Sequence, residues 1–439
     1  MGSSNFLKEL RRIAGKDNFF DSPAELSALC AWPRYGAEPP AFPLPEAAAR
    51  PATLAQAREI LGLCRSQGRR IIIRGAGTRP LRPLAAGEWI ILLTGAMSRV
   101  LDIDEKNRLA SLQAGAPLGA LGALLRGRGL FFPAPGALRG TAGGAVAADD
   151  AWEGARKYGS VGSRVRELEI LDGSGSRYLC AAQNGQPGKI APAFPLAPLF
   201  CGSRGCLGLI GAVVLELLPA PERTECLEAR FAGAIQAAEA CARLAGAPAL
   251  PDALGIADAA ASALAFGEDR ATLRAAYSGS AREAGAAAAD AAEILKRGGA
   301  LEIKACGSLP DFPMPAALGK WRESYRLCRV AAPASGLAAI AEALPQIARG
   351  RGAEALFYGG PEDIAVAFSG GDAEGAARDL FALELALAKR LQSEEDAGAG
   401  KGAWAERNAG LAAISGKIRA IFDPDGLFSA QPLPGAEFC

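Results

Sequence analysis

Three glycine-rich stretches constrain this chain more than any other feature: Arg74-Gly75-Ala76-Gly77-Thr78, Thr141-Ala142-Gly143-Gly144 and Gly202-Ser203-Arg204-Gly205-Cys206-Leu207-Gly208. The first follows an apolar run, Ile71-Ile72-Ile73, that reads as a buried strand. Glycines at alternate positions let the backbone turn sharply after such a strand and approach a ligand closely. Backbone N–H groups exposed in that turn form a small anion-binding concavity suited to a pyrophosphate. Taken alone, the loop reads equally well as a tight turn. The two later stretches favour the phosphate reading.

The 439 residues imply two or three domains. Half are hydrophobic and 22% charged, with a net charge of +1, so neither a nucleic-acid groove nor a basic membrane patch is indicated. No apolar run reaches the roughly 18 residues that span a bilayer. The first twenty residues lack a signal-peptide apolar core, so a cytoplasmic location is expected, with any membrane association through a partner. Ten cysteines are scattered without a C-x-x-C pair, which argues against an Fe–S cluster or structural zinc in this chain and for reduced, buried thiols. The chain has no histidine. A histidine base and the usual zinc sites are excluded, and proton transfer falls to Tyr, Asp, Glu, Lys, Cys or a cofactor.

Residues 1–42 read as a helical lead-in, with Phe6, Leu7, Leu10 and Ile13 at helical spacing and a rigid run of prolines closing it. Thr53 is the expected N-cap of a helix over 55–66, followed by strands at 71–73, 89–93, 100–104 and 109–114, a helix over 118–126 and a strand at 130–132. Residues 133–162 show little regular pattern, and a long loop inside a domain is usually functional. A hairpin is expected around Asp172-Gly173, and a strand over 209–218 closes the domain at Pro219. From 220 to 410 the chain is alanine-rich, and its alternating strands and helices predict helices on one face of a largely antiparallel sheet. A last helix, 411–422, stops at Asp423-Pro424-Asp425-Gly426.

The order of these motifs resembles the FAD-linked oxidases of the vanillyl-alcohol-oxidase, PCMH-type family. Within that family it is similar to the glycolate oxidase and D-lactate dehydrogenase flavoprotein subunits. The resemblance rests on R-G-A-G-T at 74–78, T-A-G-G-A-V-A at 141–147, and K-Y-G-S at 157–160 followed by V-R-E-L-E-I-L-D-G. It also rests on G-S-R-G-C-L-G-L-I at 202–210 and F-D-P-D-G-L-F at 422–428. It implies an α+β fold: a two-lobed FAD-binding domain over 43–219, a cap domain over 220–410, and a C-terminal segment, 411–439, returning to the first domain.

The resemblance further implies that Arg74, Gly75, Ala76, Gly77 and Thr78, with Arg79, and Pro135, Thr141, Gly143 and Gly144 surround the FAD pyrophosphate region. Asp149, Asp150, Gly154, Tyr158 and Gly159 would line the ribityl or ring portion. Leu209 and Ile210 would approach the adenine end through backbone atoms. The departures bear on function. The family's histidine-rich segment matches Phe357-Tyr358-Gly359-Gly360-Pro361-Glu362-Asp363-Ile364-Ala365, and its later histidine segment matches 394–401. Histidyl-linked flavin and an imidazole-held metal are both excluded. Glu362, Asp363, Glu394, Glu395 and Asp396 have the oxygen donors for a hard cation, but they read more readily as solvated loop carboxylates, and no metal is expected. Acids at 149–150 stand near an anionic cofactor, and Cys206 replaces a common threonine.

Two roles follow from the resemblance. One is an FAD-dependent oxidoreductase acting on a small organic acid such as a 2-hydroxy acid, with Arg322 as carboxylate clamp and Tyr358 as donor or base. The other is a relay or assembly subunit. In both, a Cys-rich Fe–S subunit and a second flavoprotein subunit are the expected partners.

Overall fold

The computed structural model describes residues 3–30, 43–78, 88–133, 140–149, 154–181, 194–306, 318, 321–322, 325–330, 334–360, 363–395 and 403–428. The first sheet has strand order β1 (Phe19–Phe20), β2 (Ala47–Ala49), β4 (Trp89–Leu93), β3 (Arg70–Arg74), with β2, β4 and β3 parallel. Its strands are apolar without alternation because both faces are covered. Ile71, Ile90 and Leu92 face α1 (Ser3–Ala14) and α3 (Leu54–Ser66), while Ile72, Trp89 and Ile91 face α2 (Pro23–Cys30). Thr53 caps α3 as expected, accepting from the Gln56 N–H.

The second sheet is antiparallel, in the order β5 (Val100–Asp104), β6 (Leu109–Gln113), β10 (Leu209–Glu216), β8 (Val165–Leu171), β9 (Arg177–Ala181), with β7 (Leu130–Phe131) and β11 (Leu218–Pro219) pairing apart from it. Helix α4 (Leu118–Leu125) buries Leu118, Leu121 and Leu125 against it. The two sheets meet through the turn 114–117. The Ala114 N–H donates to the Gly211 carbonyl, and that of Gly115 donates to Met97. A Cβ on Gly115 would lie 2.0 Å from the Thr94 carbonyl oxygen, so no side chain fits between the lobes there.

One expectation is corrected. The segment 133–162 is not uniformly irregular: it holds α5 (Ala142–Ala148) and α6 (Ala155–Tyr158). Thr141 caps α5, accepting from the Gly144 N–H. The alanines then carry the helix despite its glycines, which is consistent with alanine's high propensity. A short helix α7 (Ala197–Phe200) lies before the third glycine stretch.

The remaining sheet has seven strands, ordered β15 (Glu302–Cys306), β12 (Arg223–Phe231), β14 (Ala271–Gly279), β13 (Ala253–Ala257), β17 (Glu354–Gly360), β18 (Asp363–Ser369), β16 (Arg326–Val330), all antiparallel. Helices α8 (Ala234–Ala245), α10 (Ala281–Arg297), α11 (Leu337–Gly350) and α12 (Ala373–Glu395) line one face, around Phe231, Ile256, Tyr277, Phe357 and Phe368. The other face carries α9 (Ala259–Phe266) over Tyr358 and Ala365. Strand β13 and helix α9 add to the elements read from the sequence, because A-L-G-I-A is too short to show a period.

Asp258 caps α9. Its Oδ1 accepts from Ala261 N–H (2.7 Å) and its Oδ2 from Phe357 N–H (3.0 Å). Burial outweighs these bonds and raises its pKa from 3.8 to about 6. The folded state therefore holds this proton more tightly than the unfolded chain. The group's contribution to stability is complete below pH 4 and lost as pH rises through 6, in total about 3 kcal/mol. Urea midpoints followed across that window should fall for the wild type, and Asp258→Asn should remove this part of the slope.

The last helix, α13 (Ala403–Phe422), brings the chain back to the first sheet. Beyond it the Ile71 N–H donates to the Leu427 carbonyl (2.8 Å), and Phe428 forms a parallel bridge with Ile71.

Candidate functional site

The three glycine stretches converge at the C-terminal end of β3. A Cβ on Gly75 would lie 2.4 Å from Thr141 Oγ1, and one on Gly143 would lie 2.6 Å from the Ala114 Cβ. Gly202 faces the Asp149 side chain, and Gly205 faces Ile73 of β3. The Arg204 N–H donates to the Ala147 carbonyl (2.8 Å), joining the third stretch to the end of α5. Glycines here are contact points between backbones, as the close approach requires.

The loops do different work. In α5 the N–H groups of Ala142, Gly143, Gly144 and Ala145 donate to Ala116, Ala114, Thr141 Oγ1 and Thr141 O. Gly143 and Gly144 therefore shape a wall with their N–H donors already engaged, and Thr141 serves it as an acceptor. In the first stretch, the N–H groups of Gly75, Ala76, Gly77 and Thr78 donate to no protein group among the described residues. Gly77 has φ +68°, and the Arg74 guanidinium packs beneath it, 2.6 Å from where a Cβ would stand. Arg74 is buried, and burial lowers its pKa.

Arg204, absent from the sequence-based site, is half-buried with φ 55° and has no carboxylate partner among the described residues. Burial lowers its pKa as well. The signal for it was a cation held between two glycines in the third stretch.

Asp149 ends α5 in a left-handed conformation, and its Oδ1 accepts from the Gly162 N–H (2.6 Å). Gly154 is buried at the start of α6, its carbonyl accepting from Lys157 and Tyr158. Gly159, with φ +78°, packs on Ser163. The Tyr158 ring meets Phe131 edge-on at 5.9 Å. Its hydroxyl donates to Asp252 Oδ1 (2.6 Å), and Lys157 pairs with the same oxygen. Burial, and then the Asp252 carboxylate, raise the Tyr158 pKa above its ordinary range. Asp252 stands at the start of β13, so this cluster ties α6 to the seven-stranded sheet.

Leu209 and Ile210 pair with Leu171 and Ile170 of β8, while β6 pairs with β10 only from Ala212 onward. Arg79, Pro135 and Asp150 lie outside the described residues, as do Glu362, Asp396 and the side chains of Asp363, Glu394 and Glu395.

The two candidate catalytic residues are not gathered with the glycine loops by any described contact. Arg322 is half-exposed, pairs with Glu354 (2.5 Å) and lies over Trp321. Tyr358 is buried on the α9 face of its sheet with Tyr325 and Leu356. Among the described residues no group of three metal-ligating side chains exists. No described helix is long and apolar enough to cross a membrane.

The residues present fit an FAD pyrophosphate. The 74–78 loop offers consecutive donors without acceptors among the described residues and has no carboxylate, and the part-buried Arg204 is next in sequence to Gly205, which packs on Ile73 of β3. Comparison with known proteins agrees. Residues 45–180 match the FAD binding domain family. The glycolate oxidase subunit GlcD of Bacillus subtilis (strain 168) is 28% identical over 254 residues, 57% of this chain and 53% of that protein. Decaprenylphosphoryl-beta-D-ribose oxidase of Mycolicibacterium smegmatis is 30% identical over 156 residues, 35% of this chain and 32% of that protein. The aligned regions thus span about half or less of these curated relatives. The fold is that of an alkyldihydroxyacetonephosphate synthase (TM-score 0.74, 13% identity, 97% of this chain and 86% of that one). It is also that of p-cresol methylhydroxylase (TM-score 0.72, 16% identity, 96% and 95%).

The matched domain makes this an FAD-binding protein. The chain carries an FAD binding domain over residues 45–180 and is similar to FAD-linked oxidases of the PCMH type.

Proposed function

We propose that this chain is an FAD-dependent oxidoreductase, a flavoprotein subunit of a complex that oxidises a small organic acid such as a 2-hydroxy acid. In this reading residues 43–219 form the FAD-binding domain, 220–410 the cap, and 411–439 the returning segment. The observation that carries it is the run of N–H groups from Gly75 to Thr78, without acceptors among the described residues, within the matched FAD-binding segment. When bound, FAD supplies a two-electron acceptor. The chain's own residues then have three tasks. Gly75–Thr78 and Arg204 hold the phosphates. The Lys157–Tyr158–Asp252 cluster fixes α6 against the seven-stranded sheet. The buried face around Tyr358 excludes water. The similarity to the glycolate oxidase subunit GlcD supports an acid substrate and a subunit role; a Cys-rich Fe–S subunit and a second flavoprotein subunit complete the proposed complex.

A second reading, an electron-relay or assembly subunit without its own substrate chemistry, is favoured by two observations. The chain has no histidine, and Arg322 is already paired with Glu354. Anaerobic addition of glycolate or D-lactate to the flavin-loaded protein separates the two readings. Bleaching of the flavin band by the acid supports the enzyme. A band that bleaches only when a reduced Fe–S protein is supplied supports the relay.

A further inference from the structure

Cys226 on β12 and Cys306 on β15 are directly opposite each other in the antiparallel register. The same cross-strand row continues through Ala276 to Ala253, so the thiols stand in a row of small side chains, on the face away from the helix-lined core. The two thiols share a hydrogen bond. Directly opposed residues of an antiparallel pair have Cα atoms roughly 4.5–5.5 Å apart, inside the range of about 4.4–6.8 Å that a disulfide needs. No third metal-ligating group joins them among the described residues.

Their environments differ in a way that suits stepwise oxidation. Cys226 is buried on an inner strand, where burial, and then the neighbouring Cys306, Glu225 and Asp252, push its thiol up to about 11. Cys306 is part-exposed on the edge strand of the sheet. A thiol that meets solvent is the one an outside oxidant reaches first, and a buried partner in contact resolves the adduct.

We propose that Cys226 and Cys306 are a reversible redox-modification site that forms a disulfide on reaction with a low-molecular-weight disulfide of the glutathione type. The Cys306 thiolate attacks one sulfur of the oxidant and breaks its S–S bond, forming a mixed disulfide and releasing one small thiolate. Cys226 then attacks the Cys306 sulfur, forming the cross-strand bond and releasing the second small thiolate. The two protein thiols lose two electrons and two protons, and the oxidant becomes two small thiols. The product staples the edge strand β15 to β12 and closes the segment 226–306.

The test uses the full flavin-loaded chain incubated with oxidised glutathione, alkylated and digested with trypsin. The expected result is peptide 224–230 linked to peptide 305–320, the pair lighter by two hydrogens than the two reduced peptides together and separated again by dithiothreitol. Cys226→Ser and Cys306→Ser should each abolish the link, and Cys306→Ser, on the edge strand, serves even where the buried variant folds poorly. In Cys226→Ser the reaction should stop at glutathione on Cys306. Free thiols at both positions after oxidation, a wild type that stops at the mixed disulfide, or linkage of a different pair would each overturn the proposal.

Discussion

Gly77→Asp yields a folded protein that no longer holds flavin. The reason is local. Gly77 sits at φ +68° in the loop whose N–H groups have no protein acceptor among the described residues. Aspartate tolerates the left-handed region better than most residues, so the backbone cost is small. Its carboxylate, however, is placed where the proposed site would hold the phosphates, beside the Arg74 guanidinium beneath the loop. A hydrogen bond to a charged group is worth about 1.5–3 kcal/mol, and the variant exchanges at least one such bond for repulsion between like charges. FAD affinity should fall by about 100-fold or more, read by fluorescence titration of the flavin-free protein. Far-ultraviolet circular dichroism should be unchanged. Gly77→Ala is the companion variant: it introduces the Cβ without the charge and should lose less affinity.

Asp423→Ala has the larger effect on stability. Asp423 is buried, and its two carboxylate oxygens accept from the Leu427 N–H (2.7 Å) and the Phe428 N–H (3.0 Å). Burial raises its pKa, and those two backbone bonds act in the opposite direction. A Cβ on Gly173 would lie 2.6 Å from Asp423 Oδ1, so the β8–β9 turn packs directly on this carboxylate. Alanine leaves two N–H groups without acceptors in a dry site, at a cost of about 3–5 kcal/mol. The bond from Ile71 to Leu427 and the bridge to Phe428 depend on the same turn, so the strand leading into the 74–78 loop loses its support. Urea unfolding should show the midpoint fall, and flavin should dissociate earlier in the titration than in the wild type. Asp423→Asn keeps an acceptor and should lose less.

Much of this was legible in the residues. Ile71-Ile72-Ile73 and Trp89 to Leu93 read as buried strands because a sheet covered on both faces needs continuous apolar runs. The glycine loops were legible because close backbone contact excludes side chains. Their division of labour was not. Whether an N–H faces a ligand or a neighbouring carbonyl depends on the turn 114–117, which supplies acceptors to α5 from a distant part of the chain. The same holds for Asp252, whose contact with Lys157 and Tyr158 links residues more than ninety positions apart. Arg322 looked like a carboxylate clamp in isolation, and the fold gives it Glu354 on a strand that is remote in sequence.

The central claim is that the loop from Gly75 to Thr78 holds FAD, and the most direct measurement is the flavin content of the purified chain. The expected result is a yellow protein that carries one FAD per chain and regains it from added FAD after removal. A colourless protein that neither carries FAD nor takes it up on reconstitution would contradict that assignment.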